Sequence, residues 1–328
     1  METPEINSNP ETGFSALTEL TELVQQGVHQ IIVGQHAMTE QLLAGLLADG
    51  HLLIEGVPGV AKTLTAKILA KLIDTRFSRI QFTPDLMPSD VLGTSIFNQQ
   101  AGSFQFRAGP VFSNIVLIDE INRAPAKTQA ALFEVMEERQ VTIDGITHKM
   151  QAPFMVVATQ NPIEHEGTYR LPEAQLDRFM MKIVVGYPTL KEEEEILTRH
   201  NGHQVAEMLA ALQPVITPAA LHQARQMVRN TQITPELIAF IARIVHETRQ
   251  DKNIYLGASP RASIALMQVA KAFSALRGRD FVIPEDILQA VAPVLRHRIS
   301  LTPEREMEGA DTDDVLKEIT ARMEIPRG

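Results

Sequence analysis

The segment Gly56-Val57-Pro58-Gly59-Val60-Ala61-Lys62-Thr63 is the part of this sequence that best predicts the fold. It follows an apolar run at residues 51–55 and opens a helical pattern at residues 64–70. A strand, a glycine-rich loop and a helix that begins with Lys-Thr are the context of a phosphate-binding loop, or P-loop. We expect Gly56 and Gly59 to let the backbone wrap closely around phosphate oxygens, because a Cβ would obstruct it. The N–H groups of the loop and the positive end of the helix would then face the anion.

Two side chains at the end of this segment have predicted roles. Lys62 can reach the outer phosphates of a nucleotide, and the hydroxyl of Thr63 can hold Mg²⁺. The residue before the lysine is usually glycine, whereas this chain has Ala61. Alanine is acceptable there if the residue is already helical, with negative φ. The alternative interpretation is an ordinary strand-to-helix turn, which matching residues further along the chain disfavour.

Length and composition limit the class of protein. A chain of 328 residues predicts two domains, and a hydrophobic content of 44% predicts a globular protein. No apolar run approaches the roughly 18–20 residues of a membrane span, and the polar, acidic N-terminus does not resemble a signal peptide. The chain has no cysteine, which fits a cytoplasmic location. Its net charge of -10 makes a nucleic-acid partner unfavourable.

Apolar segments separated by helical patterns predict an α/β fold with a doubly wound, five-stranded parallel sheet. Ligands of such sheets bind at the carboxyl ends of the strands. Two further segments, 91–112 and 140–150, alternate apolar and polar residues around turn signals and predict inserted hairpins. Residues 84–90 predict a loop. The five predicted strands are residues 51–55, 77–83, 114–118, 154–159 and 181–185.

The sequence also predicts how the chain is divided. Residues 1–13 form a polar lead, residues 14–187 the core with the P-loop, and residues 188–328 an all-helical second domain, or lid, with repeated cap-and-proline helix starts. Helices at residues 14–30 and 37–48 flank a short apolar turn at residues 31–35. That turn could be a plain helix connector or an apolar seat for a purine ring, and the residues alone favour the connector.

Polar residues follow two of the predicted strands. Asp119-Glu120 ends one apolar run, where Asp119 would hold the Mg²⁺ shell and Glu120 would polarise an attacking water. Asn161 ends the next strand and suits a residue that orients water near the γ-phosphate. A turn or helix cap is the alternative role for an isolated asparagine, but its order after the P-loop and the two acids favours the catalytic interpretation.

Three arginines are candidates for contact with a phosphate. Arg178 precedes the fifth predicted strand, and Arg261 lies in the first turn of a lid helix, where a cation opposes the helix dipole unless an anion faces it. Arg123 follows the two acids. For each arginine, a plain surface salt bridge is an equally good interpretation of the residues alone.

Together these segments resemble the MoxR family of AAA+ ATPases, over nearly the whole chain after the lead. The resemblance makes residues 56–63 the Walker A motif and the segment around Asp119-Glu120 the Walker B motif. It identifies Asn161 as sensor 1, Arg178 as the arginine finger and Arg261 as sensor 2. The segments that carry the resemblance are residues 56–63, 116–125, 158–162, 171–179 and 257–262.

The resemblance implies a binding site for ATP and Mg²⁺. It now favours the adenine-seat interpretation of the turn at Ile32-Val33-Gly34, and it accommodates Ala61. Thr63 and Asp119 would hold Mg²⁺, partly through water. The implied nucleotide-binding residues are Ile32, Val33, Gly34, Gly56, Pro58, Gly59, Val60, Ala61, Lys62, Thr63, Leu64 and Asp119.

The family resemblance further implies a ring, usually a hexamer, that hydrolyses ATP to remodel or assemble protein clients. Frequent partners are proteins with von Willebrand factor A domains, sometimes for metal-cofactor insertion. One alternative is a motor that moves along nucleic acid, which the acidity of the chain disfavours. Another is a small-molecule kinase, which is disfavoured because no acceptor-binding domain is visible and because Arg178 and Arg261 suit a subunit interface.

Overall fold

The computed structural model describes residues 10–161, 171–202 and 204–326. Two short 3-10 turns, Pro110–Phe112 and Ile121–Arg123, lie before and after the strand Ile115–Asp119. The elements of the first part are α1 (Pro10–His29), α2 (His36–Leu47), β1 (Leu52–Gly56), α3 (Lys62–Leu72), β2 (Phe77–Gln81), α4 (Pro88–Leu92), β3 (Gly93–Asn98), β4 (Ser103–Ala108), β5 (Ile115–Asp119), α5 (Ala126–Glu138), β6 (Gln140–Ile143), β7 (Ile146–Lys149), β8 (Met155–Gln160), α6 (Glu173–Leu176) and β9 (Met181–Val185).

Five strands form one parallel sheet in the order β2-β5-β8-β1-β9. Side chains alternate along β5: Ile115 and Leu117 pack into the core on one face, and Val116 and Ile118 into the core on the other. Because both faces are covered, the central strands must be apolar at every position rather than at every second one. The predicted doubly wound α/β sheet is confirmed.

Two antiparallel hairpins, β3–β4 and β6–β7, lie within the segments where the sequence predicts them. They pack against each other, since the rings of Phe106 and His148 stack with centroids 4.1 Å apart and Ser95 donates to Asp144. The prediction of a loop through residue 90 is wrong, because α4 already begins at Pro88. A proline suits the first turn of a helix, and the Asp90 carboxylate accepts a hydrogen bond from the Met87 N–H at 2.8 Å.

The rest of the chain is mainly helical, as predicted. A short antiparallel pair, β10–β11, is an addition to the predicted all-helical lid. None of the described helices is long and apolar enough to cross a membrane. The boundary near residue 187 stays a prediction. The elements are α7 (Leu190–Gly202), α8 (Val205–Ala211), α9 (Pro218–Asn230), α10 (Pro235–Glu247), β10 (Ile254–Leu256), α11 (Pro260–Leu276), α12 (Pro284–Leu295), β11 (Ser300–Leu301), α13 (Pro303–Met307) and α14 (Thr312–Ala321).

A buried arginine joins the helical part to the sheet. Arg298 is 9% exposed and follows α12. Its guanidinium donates to Asp177 Oδ1 at 2.7 Å and to the carbonyls of Phe179 and Met180 at 2.7 and 3.0 Å. Burial lowers the pKa of Arg298, and the hydrogen bond to Asp177 opposes that effect. The segment that precedes β9 is therefore held by a charge from the C-terminal part.

The backbone at the start of α3 differs from the prediction. Ala61 has φ 60 and ψ 19, the left-handed conformation, rather than the negative φ that we expected for an alanine at this position. The loop must turn its N–H groups inward before the helix begins, and alternation with a left-handed residue produces such an anion-binding concavity. The loop therefore imposes on Ala61 a conformation that costs roughly 1–2 kcal/mol for a residue with a Cβ.

We expect the Arg298→Met variant to lose about 3–5 kcal/mol of unfolding free energy, because Asp177 would remain as a partly buried charge without its partner. Lys317→Met is the control. Lys317 lies 3.7 Å from Asp314 with both side chains more than half exposed, and such surface pairs contribute about 0–1 kcal/mol. Urea unfolding measures both values, and equal losses in the two variants would contradict the role of Arg298.

We expect Ala61→Gly to leave stability unchanged or to raise it by up to about 1 kcal/mol. Relief of the left-handed strain is partly cancelled by the greater freedom of glycine in the unfolded chain. Ala66→Gly, in the buried interior of the same helix, removes the same methyl group and should cost about 1–2 kcal/mol. Urea unfolding of the two variants tests the assignment, and a loss at residue 61 as large as that at residue 66 would refute it.

Candidate functional site

The predicted phosphate-binding residues lie at one edge of the sheet. β1, β5 and β8 are parallel neighbours, and the P-loop, Asp119-Glu120 and Asn161 stand at their carboxyl ends. The Lys62 ammonium folds back over the loop, where Nζ donates to the carbonyl of Gly56 at 2.5 Å and to that of Gln160 at 3.4 Å. The lysine therefore already lies inside the loop that would hold the phosphates.

Glycine stands at two positions of the loop, Gly56 and Gly59, for different structural reasons. Gly59 is exposed, has φ +88 and faces open space, so it is required by backbone conformation at the tip of the loop. A Cβ on Gly56 would lie 2.7 Å from the carbonyl oxygen of Val185 on β9. The close approach of the neighbouring strand is thus a second reason for glycine at residue 56, and its role beside a phosphate stays a prediction.

Thr63 and Asp119 form a cluster of oxygen atoms beside the loop. The Thr63 hydroxyl lies 3.3 Å from both carboxylate oxygens of Asp119, and the Thr159 hydroxyl donates to Oδ1 at 3.1 Å. Asp119 is 6% exposed. Mg²⁺ prefers a few protein oxygens together with water and substrate phosphates. A hydroxyl and a carboxylate side by side next to a phosphate-binding loop fit that ion.

A cation already pairs with this carboxylate. Arg79 Nε on β2 lies 2.6 Å from Asp119 Oδ2. β2 pairs with β5 so that Gln81 stands opposite Asp119, and Arg79 lies on the same face of the strand two residues earlier. The sequence analysis missed Arg79. The alternation of polar residues 79 and 81 with apolar Ile80 would have indicated a strand with one polar face, but not which acid that face meets.

Glu120 is held above the P-loop edge by two side chains. The Gln81 amide donates to Oε2 at 2.7 Å, and Arg123 Nε lies 3.2 Å from the same oxygen. The Glu120 N–H donates to the hydroxyl of Thr159 at 3.1 Å, and the residue has φ 57, which is uncommon for a side chain of this size. Strained backbone of this kind is enriched at functional sites. The carboxylate is thereby fixed next to Asp119 yet half-exposed.

Asn161 follows β8 directly and is buried, with 9% of its surface exposed. Its neighbour Gln160 pairs with Glu55 and supplies the carbonyl that Lys62 contacts. The residue thus lies next to the P-loop strand, as the sequence predicts. Pro162, the last residue of the motif in the sequence, lies outside the described residues.

The apolar turn before α2 borders the same edge. Ile32 and Val33 are buried, and the Gln35 amide reaches the carbonyl of Gly186 at 3.4 Å. Gly186 follows Val185, which pairs with Gly56 of the P-loop. The turn is therefore a neighbour of the loop, as a base-binding segment must be. Leu64 in the first turn of α3 packs against the same core.

A carboxylate from the helical part lies against this turn. Gly34 has φ +65, a conformation that favours glycine, and a Cβ there would lie 2.0 Å from Glu192 Oε1, so the glutamate side chain would have to move. The backbone N–H and hydroxyl of Thr189 donate to Glu192 and lower its pKa. The start of α7 therefore packs onto the turn with an ionised side chain.

Arg178 and Arg261 are not brought to the P-loop of their own chain. Arg178 Nη1 lies 2.7 Å from Glu137 Oε2, and Arg261 Nη2 lies 3.2 Å from Oε1 of the same carboxylate. Arg178 precedes β9, whose first residue pairs with the first residue of β1. Five residues of strand, ~17 Å at 3.3 Å per residue, separate this edge from the P-loop. Of the three candidate arginines, only Arg123 shares the edge of the P-loop.

Comparison with known proteins shows which family the chain belongs to. Residues 51–181 match the model of the ATPase family associated with various cellular activities (AAA), and residues 246–319 match that of the AAA lid domain. An uncharacterized protein YeaC of Bacillus subtilis is 47% identical over 91% of this chain and 92% of its own length.

Two further similarities cover most of the chain. The chaperone MoxR1 of Mycobacterium tuberculosis is 42% identical over 96% of this chain and 85% of its own length. A crystal structure from Cytophaga hutchinsonii has a TM-score of 0.88 at 42% identity and covers 96% of this chain and 97% of that one. The chain therefore belongs to the MoxR family of AAA+ ATPases.

Proposed function

We propose that this protein is a Mg²⁺-dependent ATPase that works as a ring of identical subunits, six in number, and remodels or assembles client proteins. The observation that carries the proposal is the division of the site between two edges of the sheet. The P-loop, Asp119 and Glu120 occupy one edge, and Arg178 and Arg261 lie ~17 Å away at the other. One chain cannot bring both sets to one nucleotide, whereas neighbouring chains in a ring can.

Within one chain, the residues at the P-loop edge would bind ATP. The loop N–H groups and Lys62 would hold the phosphates, and Ile32, Val33 and Gly34 would contact the adenine. Thr63 and Asp119 would hold Mg²⁺, which supplies neutralisation of charge on the β- and γ-phosphates. Because Arg79 pairs with Asp119, the carboxylate is not an uncompensated charge in a nearly buried position.

The hydrolytic step would use the two residues beside this cluster. Glu120 would accept a proton from the attacking water, and Asn161 would orient that water toward the γ-phosphate. Gln81 and Arg123 both contact Oε2 of Glu120, so its other carboxylate oxygen would accept the proton from the water. Arg178 and Arg261 of the adjacent subunit would neutralise the charge that develops on the γ-phosphoryl group.

Clients are proposed to be proteins, in a cytoplasmic setting. The β3–β4 hairpin exposes Phe97 and Phe104, which are 52% and 72% exposed and pack edge to face. An exposed apolar patch of this kind suits contact with a polypeptide. The net charge of -10 disfavours a phosphate backbone as partner. Proteins with von Willebrand factor A domains, including those that receive a metal cofactor, are the client class that the family resemblance favours.

We expect Lys62→Ala to abolish ATP binding, because its ammonium contacts the phosphates before reaction. Glu120→Gln should keep ATP affinity but hydrolyse at least about 100-fold more slowly, since it removes only the proton acceptor. Fluorescence titration with a labelled nucleotide and a phosphate-release assay measure the two effects. Lys67→Ala, an exposed position on the same helix, and Glu22→Gln, an exposed position on α1, are the matched controls. Near-normal turnover of Glu120→Gln would refute its role as the base.

We expect Arg178→Ala to keep fold and ATP affinity but to lose about 10³–10⁵ in turnover, the contribution of an arginine finger. Mixing it with Lys62→Ala should restore part of the activity, because an intact P-loop can then lie beside an intact Arg178 in one ring. The control is Arg322→Ala, an exposed partner of Asp251.

Sedimentation with ATP should show a species of about six subunits, and specific activity should rise with protein concentration. A strictly monomeric protein with concentration-independent activity would exclude the ring. If Arg178→Ala alone turns over near the parent rate, Arg123 or Arg261 takes the role. Turnover that DNA stimulates and a client protein does not would favour the nucleic-acid motor.

A further inference from the structure

A pocket of about 250 Å³ lies between the sheet and the helical part, away from the P-loop. From the core it is lined by Asp49, Arg139 and Met180, and from the helical part by Arg229, Gln268 and Lys271. Asp49 precedes β1 and Met180 directly precedes β9, so the pocket lies at the edge opposite the P-loop. It is therefore separate from the nucleotide site of the same chain.

Positive charge exceeds negative charge at this pocket. Asp49 is surrounded by Arg139 at 2.9 Å, Arg225 at 2.6 Å and Arg229 at 3.5 Å. Lys271 adds a fourth cation to the group, and its ammonium donates to the backbone carbonyl of Arg229 at 2.9 Å. In the described part of the chain, no carboxylate other than Asp49 forms an ion pair with these four side chains. Three of these cations, Arg139, Arg229 and Lys271, line the pocket together with Asp49, so positive charge exceeds negative charge there even without Arg225.

Arg225 is the buried member of this group of cations. Arg225, behind Asp49, is 6% exposed, and its Nη2 has no hydrogen-bond partner. Burial lowers the pKa of Arg225, Asp49 opposes this, and Arg139 and Arg229 lower it further by repulsion. Burial also lowers the pKa of Lys271. Low-dielectric walls strengthen such repulsion and equally strengthen attraction for an anion.

We propose that this pocket is a binding site for a small phosphate-containing anion. Guanidinium groups present paired N–H donors that match the oxygens of a phosphate, and an ammonium adds a point charge. A volume of about 250 Å³ is below the ~300–1,000 Å³ range of drug-sized ligands, which favours a small anion such as inorganic phosphate or diphosphate. The competing interpretation is that Asp49 and its arginines form a salt-bridge cluster that only joins the core to the helical part and binds no anion.

A bound anion would connect the two parts of the chain. Arg139 comes from the core, whereas Arg229 and Lys271 lie on α9 and α11. α11 also carries Arg261 in its first turn. Occupation of the pocket would therefore restrain the helix that presents Arg261. The binding itself does not depend on the proposed ATPase mechanism, because it involves none of the P-loop residues.

Titration of diphosphate into the Lys62→Ala protein tests the proposal. That variant weakens phosphate binding at the P-loop, so calorimetry should report one diphosphate per chain, together with a melting temperature that rises with diphosphate. Sodium chloride at equal ionic strength controls for general screening. Lys271→Gln and Arg229→Gln, each added to Lys62→Ala, should weaken binding at least about tenfold, the contribution of one charge-assisted hydrogen bond.

Lys252→Gln is the charge-matched control, because this lysine is exposed in the same part of the chain and does not line the pocket. It should leave diphosphate affinity unchanged. Absence of saturable binding to Lys62→Ala would overturn the proposal. So would equal affinity in the Lys271→Gln, Arg229→Gln and Lys252→Gln proteins, and either result would leave a salt-bridge cluster only.

Discussion

All five strands of the central sheet run in one direction, and the rest of the structure depends on this constraint. Parallel strands place every carboxyl end at one edge, so the loop after β1 and the acids at the end of β5 lie at the same edge although they are far apart in sequence. The same direction places the residue before β9 at the opposite edge. Arg178 cannot be moved to the P-loop by any local rearrangement, because the length of a strand lies between them.

The acidic pair at the P-loop edge is stabilised by cations and amides from its own chain. Asp119 is nearly buried, and such a carboxylate is costly unless it is paired. Arg79 and the two threonine hydroxyls supply that pairing. Glu120 is more exposed and its partners, Gln81 and Arg123, lie on the solvent side. Both acids are thus held by side chains of the same chain, and Glu120 is the more exposed of the two.

Part of this arrangement could be predicted from the sequence because its determinants are local. Glycine spacing, the apolar run of β5 and the acids that follow it are readable within a few residues, and they predicted the sheet and the P-loop edge. The Arg79–Asp119 pair could not be predicted, because it depends on β2 lying beside β5, and strand order is not a local property.

The conformation of Ala61 was mispredicted for a related reason. Alanine by itself avoids positive φ, so local preference indicated a helical residue. The folded loop overrides that preference. Gly56 shows the same effect, since its neighbour is the carbonyl of a strand more than a hundred residues later. In both cases the folded structure around the residue decides which backbone conformation or residue type is required. Contacts between residues far apart in the chain cannot be read from a single sequence.

Glu137 lies between Arg178 and Arg261 and pairs with both. In the sequence it belongs to a polar run at the end of α5 and resembles a solvated helix end. In the structure each of its oxygens takes one arginine, Arg178 from the core and Arg261 from α11. One carboxylate cannot neutralise two guanidinium groups, so a positive charge remains at this edge. Glu137 therefore holds both arginines together while leaving them able to attract an anion, and it connects the position of α11 to that of the segment before β9.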